Sequence, residues 1–194
     1  MGDRLVAAYA PGSLAHGGFS PLVSDVDLAL ILTDPIRSTD GSSLLRLVEG
    51  VRSAGSTLHE RLSVFWGTPS SLGGQTTGGR FPPLDRLCLL EHGRLLLGPD
   101  IRQGIARPDR ITLLVAGAEF ALDFLAGDTV DQVRQPEQLL TTGVRWATKV
   151  VLFPARFLFT AATGEEGTNE AAAAEHFLHR ANAPAGELVS AALG

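Results

Sequence analysis

Cysteine is nearly absent from this chain of 194 residues. Cys88 is the only one, so no intramolecular disulfide can form and a cage of thiolates around a metal is excluded. Lysine is equally scarce: Lys149 is the only one, and every other basic side chain is Arg. With a net charge of −5 and no run of basic residues, the chain offers no stripe for a polyanionic backbone. Bulk nucleic acid is therefore disfavoured as a partner, although a single nucleotide is not. Long hydrophobic runs are missing too, each being broken by Arg, Gly or Pro well short of membrane-spanning length. Met1 leads straight into Gly2-Asp3-Arg4, without the basic and apolar regions of a signal peptide. A soluble, cytoplasmic protein is the expectation. The bias to Arg, with abundant Ala and Gly, points to a G+C-rich bacterial gene, which bears on origin and not on function.

What is present is an ordinary globular composition, 44% hydrophobic and 19% charged, long enough for one large core or two small lobes. Arg4 to Ala10 reads as a short strand entering a turn at Pro11-Gly12, and Val26 to Leu32 as a stronger strand closed by Thr33-Asp34-Pro35. Leu44, Leu47, Val48 and Val51 recur at helical spacing, and Leu62 to Trp66 alternates again as a strand. Residues 67–83 are rich in Gly, Ser, Thr and Pro and read as a flexible loop. Leu84 to Leu97 starts as a helix and continues as a short apolar run to Gly98-Pro99. Beyond Pro108 only helical patterns remain. One carries the stripe Ile111, Leu114, Val115, Ala118, Leu122 and Leu125, and a second runs from Pro136 to Thr163 with a kink expected at Pro154. A third helix is expected after Thr168 as N-cap, with Glu170 in its first turn. The expected fold class is α/β: a small mixed-sheet lobe over residues 1–100, then an all-helical lobe over residues 101–194.

The stretch richest in chemistry runs from Pro11-Gly12-Ser13 to Ser24-Asp25-Val26-Asp27-Leu28. Two aspartates two apart on a strand send both carboxylates from one face, while Val26, Leu28 and Leu30 are expected to point into the core. Like charges so close disfavour one another unless a cation lies between them. A hard divalent cation suits oxygen ligands, and Mg²⁺ characteristically takes one or two carboxylates together with substrate phosphates. Gly12, with no side chain, permits close approach, and the backbone N–H groups and hydroxyl of Gly12-Ser13 can hold phosphate oxygens.

Gly-Ser, about a dozen residues, then Ser-Asp-x-Asp-Leu on an apolar strand resembles the signature of the DNA polymerase β nucleotidyltransferase superfamily. Gly17-Gly18 and Pro21 before Ser24-Asp25 look most like the branch that contains the streptomycin/spectinomycin adenylyltransferases. Leu97-Gly98-Pro99, Arg156-Phe157, Thr163-Gly164 and the Ala-rich stretch from Ala171 to Phe177 carry the similarity, more weakly, along most of the chain. The resemblance implies a nucleotidyltransferase lobe followed by helices, with a nucleoside triphosphate between the lobes. Asp25 and Asp27 would bind two Mg²⁺ ions. Gly12, Ser13 and Ser24 would contact the nucleotide, and Arg156 would neutralise departing pyrophosphate. A nucleoside monophosphate, expected to be AMP from ATP, would pass to a hydroxyl acceptor that the sequence does not identify. The alternatives are a catalytically degenerate nucleotide-binding module, or a toxin–antitoxin type nucleotidyltransferase acting on protein or RNA.

Three of the places where the chain departs from that family bear on the site. A third carboxylate usually stands on the strand beside the aspartate pair, and here Ser63 occupies the expected position. Glu60 is the candidate base nearby, on the wrong strand parity unless the strand starts late, and His59 is a weaker substitute. Asn169 stands where the resistance enzymes tend to carry Lys. Gly143-Val144-Arg145-Trp146-Ala147 lacks the acids that receive a cationic drug, so streptomycin and spectinomycin are not expected as acceptors. His16, Trp66 and Trp146 read as structural, His92 and His176 as solvated or capping, and Cys88 as a small buried hydrophobe.

Overall fold

Four strands form one mixed sheet: β1 (Leu5–Ala10), β2 (Val26–Leu32), β3 (Leu62–Gly67) and β4 (Arg94–Leu97), in the spatial order β3-β2-β1-β4. The structure is a computed structural model and describes residues 2–168 and 186–193. The helix expected after Thr168, Asn169, and the stretch from Ala171 to Phe177 with His176 lie outside the described residues. Strand β1 runs antiparallel to both neighbours, whereas β2 and β3 are parallel, with Val26 opposite Leu62 and Asp27 opposite Ser63. The parallel pair needs a crossover, and residues 33–61 supply it through α2 (Asp40–Arg52) and the one-turn α3 (Thr57–Glu60).

Both faces of the sheet carry buried residues over β1 to β3, whereas β4 is exposed, and this overturns the simple alternation expected for β2. The main core lies on the face of the odd-numbered residues: Ala7 and Tyr9 of β1 with Ala29 and Ile31 of β2. Packed on it are Leu72 of α4 (Pro69–Leu72), Leu89 of α5 (Pro83–His92) and Ile105. Asp27 shares the parity of Ala29 and Ile31, so the aspartates stand where this core face runs out, and not on a bare face. Leu28 and Leu30, expected to be core, are only half-buried on the other face. There Trp66 lies over α2, where a Cβ on Gly41 would come within 3.2 Å of its ring. Leu44 is buried on α2, whereas Leu47 and Val51 are exposed, so only part of the expected stripe is used.

The end of β2 is tied to the start of α2 by a buried ion pair. Arg4 donates through Nη1 to both carboxylate oxygens of Asp40 at 2.8 Å and through Nη2 to the carbonyls of Thr33 and Pro35. Asp40 also accepts the Arg37 N–H at 2.8 Å. Residues 67–83, expected to be flexible, contain α4, capped by Thr68, and return to the sheet where Arg80 exchanges backbone hydrogen bonds with Trp66. Polar Gly/Ser/Thr composition there encodes caps and tight turns.

The chain divides into two compact units: residues 1–19 with 25–108, and residues 20–24 with 109–194. The second contains α6 (Arg110–Phe124), α7 (Asp128–Arg134), α8 (Pro136–Thr141), α9 (Val144–Thr163) and α10 (Gly186–Leu193). The long pattern after Pro136 is two helices separated at Gly143, and Pro154 lies inside α9. Helix α6 buries Leu113 and Gly117 and stacks Phe120 and Phe124 against Phe153 and Phe157 of α9. The expected stripe of Ile111, Leu114, Val115 and Leu122 is instead its exposed side. The helix is apolar all round, so periodicity could not choose the buried face. Among the described residues, no helix is long and apolar enough to cross a membrane.

Candidate functional site

The turn after β1 sets the geometry. Gly12 has φ 71° and ψ −156°, a region open in practice to glycine alone. Its carbonyl accepts the N–H groups of Ala15 and His16 at 2.9 and 3.3 Å, starting the one-turn α1 (Ser13–His16). Its own N–H donates to Cys88 Sγ of α5 at 3.0 Å. Gly12 therefore contributes room at the site, while its amide is used to fix the turn. The room is taken up by Asp27: a Cβ on residue 12 would overlap Oδ2 and stand 3.3 Å from Cγ.

Asp25 immediately precedes β2 and Asp27 is its second residue, both half-buried. Two carboxylates at this spacing are acceptor-only groups. With a Cβ-free wall beside one of them, the donor set fits a hard divalent cation such as Mg²⁺. Strand β3 is aligned next to them. Arg52 of α2 donates to the carbonyl of Leu62 through Nε and Nη2 at 3.1 and 2.6 Å, and the Val26 N–H donates to the carbonyl of Arg61 at 3.1 Å. This register places Ser63 opposite Asp27.

Glu60 is not on the strand. It is the exposed last residue of α3, and β3 starts only at Leu62, so strand parity does not constrain it. His59 is engaged in capping α3, with its Nδ1 2.8 Å from the Ser56 hydroxyl and accepting the Ser56 N–H at 3.2 Å. Ser13 and Ser24 are both buried. The Ser24 hydroxyl accepts the Ser20 N–H at 3.0 Å, and its own N–H donates to the Ser20 carbonyl at 2.8 Å, closing the loop that delivers Asp25. Arg156 lies on α9, where Nε donates to the Gly167 carbonyl and the guanidinium sits 5.5 Å from the Phe153 ring centre. The structure thus brings Gly12 against Asp27 and Ser63 opposite it on β3, with Asp25 just before β2. Arg156 is held by partners in the helical unit.

Cys88 was not recognisable as part of this arrangement from its place on an apolar stripe. His92, one turn further along α5, was read as solvated or capping but is half-buried. Its ring meets that of His16 edge-on, with centroids 5.6 Å apart. The one available signal was spacing: positions 88 and 92 share a helical face.

No family model and no curated protein matches the chain. Among solved structures, eight chains match. One is the spectinomycin adenyltransferase AAD(9) from Enterococcus faecialis, solved with ATP and spectinomycin. It is similar with a TM-score of 0.64 over 98% of this chain and 82% of its own length, at 14% sequence identity. The chain has the fold of that nucleotidyltransferase: a mixed α/β sheet part and a helical part.

Proposed function

We propose that this protein is a nucleotidyltransferase that moves a nucleoside monophosphate from a nucleoside triphosphate, ATP in the first instance, to an acceptor hydroxyl. The observation that carries the reading is the contact of Asp27 with Gly12. A carboxylate held against a backbone from which the side chain has been removed, with Asp25 beside it, is an arrangement for a cation and phosphate oxygens. The fold shared with an adenyltransferase solved with ATP supports it.

In this reading Asp25 and Asp27 hold Mg²⁺, which when bound supplies electrostatic stabilisation to the charge developing on the phosphoryl oxygens. Gly12 keeps the wall of the site open, and the Ser13 hydroxyl contacts the triphosphate. Ser24 fixes the loop from which Asp25 projects. The acceptor oxygen bonds to the α-phosphorus in line as the bond to pyrophosphate breaks, and Glu60 takes the acceptor's proton. The reading uses no role for Arg156.

One observation favours a second reading. Ser63 stands opposite Asp27, and a serine hydroxyl is no base at neutral pH, so the chain can also be read as a nucleotide-binding module without turnover. Transfer of label from α-labelled ATP to small hydroxylated, protein and RNA acceptors separates the two. The proposal expects labelled product and pyrophosphate release, both abolished in Asp25→Asn and Asp27→Asn. Saturable ATP binding without pyrophosphate from any acceptor class contradicts transfer and supports the module.

A further inference from the structure

Helix α5 meets the turn that follows β1 at two points with matched spacing. Cys88 accepts the N–H of Gly12 at 3.0 Å, and four residues later the His92 ring packs edge-on against that of His16, four residues after Gly12. Residues four apart on a helix lie on one face, so a single face of α5 engages both ends of the segment from Gly12 to His16. Within that segment Ala15 and His16 donate to the Gly12 carbonyl, and Gly17 to that of Ser13.

We infer that Cys88 and His92 are positioning residues, which set the Gly12 peptide so that its Cβ-free side faces Asp27. Gly12 has φ 71°, a conformation a glycine also leaves easily because so much of backbone space is open to it. Something must select it. The acceptor on its N–H does so from below, and the ring contact stops α1 from swinging about that bond. Cys88 is 7% exposed, so an apolar residue there would leave the Gly12 N–H facing a group that accepts nothing. Sulfur accepts weakly yet occupies the space of a small hydrophobe, which suits a position on the buried side of α5. A hydroxyl would keep the acceptor at a shorter reach.

That this positioning serves nucleotide binding rests on the function proposed above; that it sets the turn does not. The test therefore reads both, on the whole chain. Backbone amide exchange is followed at Gly12, Ala15 and His16 relative to the amides of β2, in Cys88→Ala, Cys88→Ser, His92→Ala and His92→Phe. A loss of general stability would speed β2 equally, whereas a positioning role predicts a selective change. Gly12 should exchange about 10-fold faster than in the wild type in Cys88→Ala, Ala15 and His16 similarly in His92→Ala, and Cys88→Ser and His92→Phe should restore most of the protection. Titration of the same variants with ATP and Mg²⁺ should show affinity falling and recovering in parallel. Unchanged relative protection in both alanine variants overturns the inference. Lost protection with unchanged ATP affinity overturns its functional half. A wild type that binds no ATP refutes the nucleotide reading, while the exchange data still decide whether Cys88 and His92 hold the turn.

Discussion

The carboxylate of Asp27 lies so close to the Cα of Gly12 that a single methyl group on residue 12 would overlap it. Residue 12 is therefore constrained twice, by its backbone angles and by its neighbour. Gly12→Ala should lose about 1–3 kcal/mol of stability from the forced backbone conformation alone. It should also lose ATP–Mg²⁺ binding by at least about 10-fold, since either the turn or Asp27 must move. Denaturant unfolding and calorimetry on the same preparation check this, and a variant that binds as the wild type does would show that the contact is incidental.

The buried pair of Arg4 and Asp40 predicts a large structural effect remote from the site. Asp40→Asn keeps the shape and leaves the Arg4 guanidinium without its counter-charge, and breaking a pair of this kind costs about 3–5 kcal/mol. Urea unfolding should show the loss, accompanied by a smaller one for Arg37→Pro, which removes the N–H that Asp40 accepts. A shift within the scatter of surface substitutions would mean that the Arg4 guanidinium is as well accommodated without the Asp40 charge as with it.

Acid should weaken the fold in part through Asp100. Its hydrogen bonds from the Arg102 side chain and N–H, joined by one from the buried Tyr9 hydroxyl, hold the Asp100 carboxyl well below the usual range. A pKa depressed by folding contributes stability that is complete above the unfolded value, roughly 3.9, and is lost as pH falls below it. The melting temperature of the wild type should decline below about pH 4. Asp100→Asn should be less stable at neutral pH and decline less steeply. Parallel curves would place the acid-sensitive group elsewhere.

Much of this architecture follows from patterns that one strand or one helix carries by itself. The bounds of β2, the helix after it, β3 and the start of the helical part are set by apolar period and turn residues, and the Asp25–Asp27 spacing is local. What escaped depends on partners distant in sequence. Which face of β2 or α6 is buried cannot be read where both faces are apolar, so Leu28 and Ile111 were assigned inward while Ala29 and Leu113 are the buried ones. The Arg4–Asp40 pair spans 36 residues and the Gly12–Cys88 bond 76, and neither leaves a periodic trace. The one-turn α4 within residues 67–83 escaped for another reason: Ser, Thr and Gly serve capping boxes and loops alike.

The proposed function gives the acceptor's proton to Glu60, which ends α3 two residues before β3 begins. Glu60→Gln should lower turnover by about 10²-fold or more while leaving ATP–Mg²⁺ affinity unchanged, the pattern of a lost general base. Initial-rate kinetics with the acceptor identified by label transfer measure it. Unchanged turnover would remove Glu60 from the reaction.

The most direct test of the nucleotide site is calorimetric titration of ATP into wild type and Asp27→Asn, each with and without Mg²⁺. Wild type should bind only when Mg²⁺ is present, and Asp27→Asn in neither condition. Equal affinity of the wild type with and without Mg²⁺, or binding retained in Asp27→Asn, would contradict that expectation.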